Sequence, residues 1–296
     1  MNAASPSTHV TETRGPFAGG PRLLSIAGAV LLFMAAGAAT ARPAVAASAE
    51  AVDRSALRVC ADPSNLPFSN DKGEGFENKI AELLAKELGV PVRYTFYPDS
   101  VGFIRNTLRA RQCDLIVGTI SNNEMLQNTN PYYRSAFSLV YRQDSGLALA
   151  SIDDLKEKPL EIGAIAGTPP VTLLAQKGLL QHLHAYQLLV DTRFDHPAQD
   201  LVHDVAAGKV DVGILWGPIA GYFAKHEATP LVVVPLRTGE SPIRLDFRIT
   251  MGVRYSEPEW KRDINNLIRS KQGEINKILL DYGVPLLDEQ ENQITE

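Results

Sequence analysis

Residues 57–89 read LRVCADPSNLPFSNDKGEGFENKIAELLAKELG, and their pattern decides the fold class. Leu57 to Ala61 is an apolar run of strand length, followed by a loop dense in Pro, Asn, Asp and Gly, the residues of turns. From Phe76 the period changes: Phe76, Ile80, Leu83, Leu84 and Leu88 recur at helical spacing, and Gly89 stands where a left-handed cap ends a helix. Strand, loop and amphipathic helix in that order make the first step of an α/β layer.

The alternation continues outward. VRYTFY (92–97) reads as a second strand, GFIRNTLRAR (102–111) as a short helix and CDLIVGT (113–119) as a third strand. After Asp144 and a polar connector, a second unit begins: strand LEIGAIAG (160–167), helix TPPVTLLAQKGLL (168–180) and strand AYQLLV (185–190). Helix PAQDLVHDVAAG (197–208), strand VDVGILW (210–216), helix PIAGYFAKHE (218–227) and strand LVVVPL (231–236) follow. LRARQCDLIVG (108–118) and VAAGKVDVGIL (205–215) both run from a helix end through a turn to an Asp at the mouth of a buried strand, so Asp114 corresponds to Asp211. The chain thus reads as two similar α/β units. FRITMGVRY (247–255) is a further strand, and two helices carrying Trp260, Ile264, Leu267 and Ile268, then Ile275, Ile278 and Leu279, precede a Gly-Pro stop at DYGVP (281–285). The first unit is one helix short of covering its sheet, so this last segment is expected to return to it. That gives a first lobe of residues 47–142 plus 248–287, a second lobe of 143–247 and a polar tail of 288–296, with two crossings that would form a hinge.

The N-terminal residues indicate export. Arg14 and Arg22 precede an uncharged apolar run, Leu23 to Ala39, and Ala44, Val45 and Ala46 form a small-residue cleavage site, so residues 1–46 read as a signal peptide. No later run is long enough for a membrane span. The net charge of −5 comes with no dense Lys/Arg stripe and no glycine-rich phosphate loop, which argues against nucleic-acid or nucleotide binding. Cys60 and Cys113 are the only cysteines; in an oxidising compartment they can bond, or they can stand as two buried thiols. Two cysteines this far apart, and the absence of any acidic ligand cluster, point to no metal and no cofactor. Neither a Gly-x-Ser-x-Gly nor a His-Glu-x-x-His motif occurs, and no nucleophile has an evident base, so catalytic residues are expected to be none.

Open α/β sheets bind ligands at the carboxyl ends of their strands. That rule nominates Asp62, Asn65 and Phe68 after the first strand and Thr119, Ser121 and Asn122 after the third. From the second unit it nominates Gly167, Thr168 and Trp216, with the helix opening at Pro169 expected to offer backbone donors to an anion. Each has a plain structural alternative: Asp62 as a turn former, Phe68 and Trp216 as core aromatics, Thr168 as a cap.

LPFSNDKGEGFENKIAELLAKELG, CDLIVGT, NPYYRS (130–135) and DYGVP together resemble the type II periplasmic solute-binding proteins, the receptors of ATP-binding-cassette importers, over essentially the whole exported chain. The resemblance implies an α/β, two-lobed type II periplasmic binding protein fold with a hinge and an interlobe cleft. FIRNTLRARQCD, PYYRS with VYRQDSGL, VDVGILWGPIAGYF and ITMGVR are most similar to the J proteins of methanol dehydrogenase gene clusters, the MoxJ/XoxJ type. That likeness implies a quinoprotein methanol dehydrogenase and its cytochrome as partners, and leaves the small-molecule ligand unknown. Two departures stand out. Around IGAIAGTPPVTLLAQKGLL, at the second lobe's first strand-helix turn, the chain is shorter than the family's, which bears on the cleft contacts there. And the Arg with which amino-acid receptors hold a carboxylate falls at Met125, beside Glu124, so the expected cation is missing. Arg134 and Arg105 are candidate substitutes, each with the plainer alternative of a surface position or a pairing with a local acid.

Overall fold

The structure, a computed structural model, describes residues 53–188, 190–239 and 243–295; the expected signal peptide lies outside them. Fourteen strands and six α-helices are assigned among these residues. The first lobe opens with β1 (Leu57–Ala61), the short pair β2 (Ser64–Asn65) and β3 (Ser69–Asn70), and α1 (Phe76–Leu88). It continues through β4 (Val92–Phe96), α2 (Phe103–Asn106), β5 (Leu115–Ile120) and β6 (Gln127–Asn128) to the long strand β7 (Tyr133–Arg142). The second lobe holds β8 (Ile162–Ile165), α3 (Pro169–Gln176), β9 (Leu183–Tyr186), α4 (Pro197–Ala206), β10 (Val212–Trp216), α5 (Gly217–His226) and β11 (Leu231–Pro235). The chain returns in β12 (Asp246–Val253) and α6 (Pro258–Asp281), and ends in the hairpin β13 (Leu286–Leu287) and β14 (Gln293–Ile294).

The internal correspondence is reproduced in hydrogen bonds. β1 lies between parallel β4 and β5, and β8 lies between parallel β9 and β10. At each strand mouth an Asp N–H donates to the first strand: Asp114 to the Arg58 carbonyl at 2.8 Å, Asp211 to the Glu161 carbonyl at 2.9 Å. The two mouths differ in charge. Asp114 is fully buried and takes both Arg58 nitrogens at 2.7 and 2.6 Å, an Arg254 nitrogen, and Arg54 at 3.2 Å. Burial pushes its carboxyl up, but the Arg58 and Arg254 hydrogen bonds outweigh that and hold it below the usual range. Asp211 is exposed and accepts one backbone bond, from Glu161.

β7 joins the two lobes. Tyr133–Ala136 pair with β12, whereas Phe137–Tyr141 pair with β10 and Ser138–Arg142 with β11. The changeover therefore lies inside the strand, upstream of the expected boundary at residue 142. One expectation changes. The two C-terminal helices are one, α6, because Trp260, Ile264, Ile268, Ile275 and Leu279 stay in phase across Gly273, whose cost of about 1 kcal/mol the packed stripe exceeds. The polar tail is pinned: Arg134 on β7 binds Asp246 at 2.7 Å, Glu291 at 2.9 Å and the Asp288 carbonyl at 3.0 Å.

On one face of the first sheet, α1 and α6 pack into a core with Leu57, Leu115 and Met251. Behind the other face Phe103, Leu108 and Leu126 surround a Cys60–Cys113 disulfide with a Cα–Cα distance of 5.4 Å. The second sheet is covered by α3 on one side and by α4 and α5 on the other. Among the described residues no helix is long and apolar enough to cross a membrane.

Candidate functional site: an acidic chamber beside an apolar cleft

The carboxyl ends of β1 and β5 enclose a cavity of about 290 Å3. Five of the nominated residues line it: Asp62, Asn65, Phe68, Thr119 and Trp216. Asn65 and Trp216 also line a wider cleft of about 800 Å3 whose walls include Phe137, Ile165, Ile219 and Phe223, with Thr168 among them. Trp216 is therefore the partition. It is held edge-on by Phe137 at 5.5 Å and Phe247 at 5.8 Å. Ser64 Oγ donates to the Thr192 carbonyl at 3.1 Å, tying a first-lobe loop to a second-lobe loop across the mouth.

Asp62 is 4 % exposed and organises the chamber's edge. Its carboxylate accepts the Ser64 N–H at 2.8 Å and the Asp99 N–H at 2.6 Å, and so brings the loop after β4 against the loop after β1. The turn-forming alternative and the site reading are both realised in this residue. Asp99 thereby stands at the rim, and its carboxyl is raised to about 6 by its low-dielectric surroundings, with the charge of Asp62 adding.

The acid that sequence reasoning missed is Glu77. Gly75 opens α1 at a point where any side chain would overlap the Phe68 carbonyl, and the first helical N–H groups are already used, Phe76 to Pro67 at 2.8 Å and Glu77 to Phe68 at 2.9 Å. Those bonds seat Glu77 over β5 at Gly118, where even a Cβ would collide with its carboxyl. No hydrogen bond or ion pair holds that carboxyl among the described residues; enclosure raises it to about 8, with Asp99 adding. Tyr133, which shares the chamber, is likewise raised well above the phenol range by burial and by Glu77. A Gly facing an acid in the first turn of a helix, one strand apart, is the signal that would have found it.

Four nominated residues are placed elsewhere. Ser121, Asn122 and Met125 line neither cavity; they form the turn after β5, with Asn122 at φ 69° and Met125 44 % exposed. Gly167, at φ 77°, serves the turn into α3 and lines neither. Thr168 uses its hydroxyl on the Ile165 carbonyl at 2.6 Å. The expected anion site at the start of α3 is corrected: Pro169 and Pro170 have no N–H, and Val171 donates to the Thr168 carbonyl at 3.1 Å. Arg134 is spent on the tail and Arg105 is exposed on α2, so neither replaces the missing cation. Among the described residues no Lys or Arg lines the chamber. A larger open groove, about 1060 Å3, lies away from these strand ends, and its Lys156 and Lys177 are both paired with Asp153.

Residues 57–284 match the description "Bacterial extracellular solute-binding proteins, family 3". The chain belongs to that family. Within it, the chain is 30% identical over 267 residues to the protein MoxJ of Paracoccus denitrificans, covering 86% of this chain and 95% of that one. It is 28% identical over 257 residues to MoxJ of Methylorubrum extorquens, covering 82% and 85%. The crystal structure of the periplasmic binding protein XoxJ from Methylobacterium extorquens AM1 is similar at 45% identity and a TM-score of 0.67, covering 79% of this chain and 100% of that one. The chain is thus a MoxJ/XoxJ-type member of the type II periplasmic binding proteins, with their two-lobed α/β fold. The relatives are binding proteins, in keeping with a site built from carboxylates and aromatic walls.

Proposed function

We propose that this protein is an exported, periplasmic accessory of methanol oxidation that engages a PQQ-dependent quinoprotein methanol dehydrogenase and assists its maturation or activation, close to that enzyme's cytochrome. The observation that carries the reading is the similarity to MoxJ and XoxJ across nearly their whole lengths. The site supports it: a receptor for amino acids needs a cation for the carboxylate, whereas among the described residues the chamber has carboxylates and no Lys or Arg, and the wider cleft pairs its Arg193 with Asp191 beside a wall that includes Phe137, Ile165, Ile219 and Phe223. The apolar wall is a surface that can take protein side chains.

The test is deletion of the gene in a methanol-growing host. Dehydrogenase activity is expected to fall and to return with the wild-type gene; unchanged activity contradicts the reading. A second reading, the substrate-binding component of an importer for a small non-amino-acid solute, is favoured by the chamber of about 290 Å3. It predicts loss of solute uptake with methanol oxidation intact.

A further inference from the structure

The helix that walls the cleft in the second lobe is also the surface on which the chain's last residues lie. On α5, Ile219 and Phe223 line the wider cleft, whereas Gly217, Gly221 and Lys225, spaced four apart on another face, meet the segment that follows α6. The approach is close. A Cβ on Gly221 would stand 1.8 Å from the Gly283 carbonyl oxygen, and one on Gly217 would stand 2.7 Å from Pro285. Tyr222 stacks on Tyr282 with ring centroids 5.9 Å apart, and Lys225 Nζ donates to the Asp281 carbonyl at 2.6 Å.

The same segment is anchored in the first lobe. Tyr282 sits edge-on to Phe76 at 6.0 Å and donates its hydroxyl to the Glu74 carbonyl at 2.5 Å, and Val284 and Leu286 are buried in the core that α1 and α6 share. From there the chain runs onto β7 and β12, the strands through which the lobes connect. Ser135 Oγ donates to the Pro285 carbonyl at 2.7 Å, next to the point where β7 changes partner from β12 to β10. The β13–β14 hairpin then sets Glu291 on Arg134 of β7 at 2.9 Å and Glu289 on Arg248 of β12, while Arg134 itself binds Asp246 of β12 at 2.7 Å.

Opening or closing a two-lobed cleft requires rotation of one lobe on the other about such strands. Rotation of the second lobe must carry α5 with it, because Ala220 is buried with Val140 and Leu215 in that lobe's core. It would draw α5 away from Tyr282, Gly283 and Pro285, which stay with the first lobe. The tyrosines would unstack and the Gly221–Gly283 approach would open at the same time as the hinge bonds of Ser135 and Arg134 were strained. Close-packed contacts of this kind hold one arrangement and do not yield continuously.

We propose that residues 281–295 form a strap that fixes the angle between the lobes, so that the cleft keeps a preset opening and does not close on a solute. The strap is a property of the chain alone and does not depend on the dehydrogenase. It bears against the importer reading, since hinge closure around a ligand is how periplasmic receptors respond to one.

The experiment is double electron-electron resonance on the purified exported chain, spin-labelled at Glu124→Cys in the first lobe and Asp200→Cys in the second, both exposed, with the Cys60–Cys113 disulfide left oxidised. A single narrow distance distribution is expected. Deletion of residues 286–296 is expected to broaden it roughly twofold or more, or to split it into two populations. Lys225→Ala combined with Glu289→Ala and Glu291→Ala, at exposed or half-buried positions, is expected to broaden it less. This triple variant keeps the buried Leu286 and Leu287, so it decides the matter if circular dichroism shows that the deletion does not fold. A wild-type distribution that is already broad or bimodal, or one unchanged in every strap variant that folds, overturns the assignment. Binding of the dehydrogenase is measured separately, so either reading can fail while the other stands.

Discussion

The two lobes share a strand order, β4-β1-β5 in one and β9-β8-β10 in the other, and yet their ligand-facing edges have different character. In the first lobe the strand ends gather three carboxyl groups around a small chamber. In the second the corresponding edge sets Ile165, Leu215, Ile219 and Phe223 beside polar groups of both signs, Arg193 and Asp195 among them, and its helix start is silenced by Pro169 and Pro170. Topology sets where a ligand can sit; the few residues after each strand set what it is. Inherited position alone is therefore a poor guide to ligand charge, as Met125 shows: it stands where an Arg is expected, and it points to neither cavity.

The buried ends of the same strands give the sharpest way to break the comparison. Asp114→Ala removes the buried anion shared by Arg54, Arg58 and Arg254 and leaves Arg254, 7 % exposed, with Glu257 as its remaining acid; it is expected to cost about 3 kcal/mol. Asp211→Ala, at the matching position of the second lobe, removes one exposed hydrogen bond and is expected to cost no more than about 1 kcal/mol. Urea unfolding of both variants checks this; equal losses would show that the two mouths are equivalent in energy as well as in geometry.

The pH dependence is expected next in size. Glu77 titrates near its ordinary 4.5 in the unfolded chain and at about 8 in the fold, so the unfolded state releases its proton first as pH rises. Stability present below pH 4.5 is lost progressively up to about pH 8, by at most about 5 kcal/mol. Asp99, raised to about 6, adds to the early part of that fall; Asp62, Tyr94, Tyr132 and Tyr133 are the other titratable groups near Glu77. Glu77→Gln should flatten the profile above pH 6 and leave the Asp99 part in place. A thermal-unfolding series from pH 5 to 9 with the same slope in both proteins would place the carboxyl in a watery setting.

Much of this molecule was legible in its sequence, for reasons that particular residues make plain. Strand and helix of residues 57–89 announce themselves because one period gives way to another at Phe76, and the likeness of Asp114 to Asp211 reflects a shared backbone bond. Asp62, Asn65, Phe68, Thr119 and Trp216 follow from strand ends alone. Glu77 did not, because an acid in the first turn of a helix is ordinary on dipole grounds, and only the approach of Gly118 turns it into a chamber wall. Asp99 is distant in sequence from its neighbours and arrives by a backbone bond to Asp62. The start of α3 is closed to an anion on sequence grounds alone, since two consecutive prolines remove two donors whatever the fold.

Partnership with a dehydrogenase through the cleft is tested most directly by binding. The purified exported chain, immobilised and exposed to quinoprotein methanol dehydrogenase from the same host, is predicted to bind it saturably, and Phe223→Glu in the apolar wall is predicted to weaken that binding roughly tenfold. Absence of binding at dehydrogenase concentrations of tens of micromolar, or binding indifferent to Phe223→Glu, would contradict it.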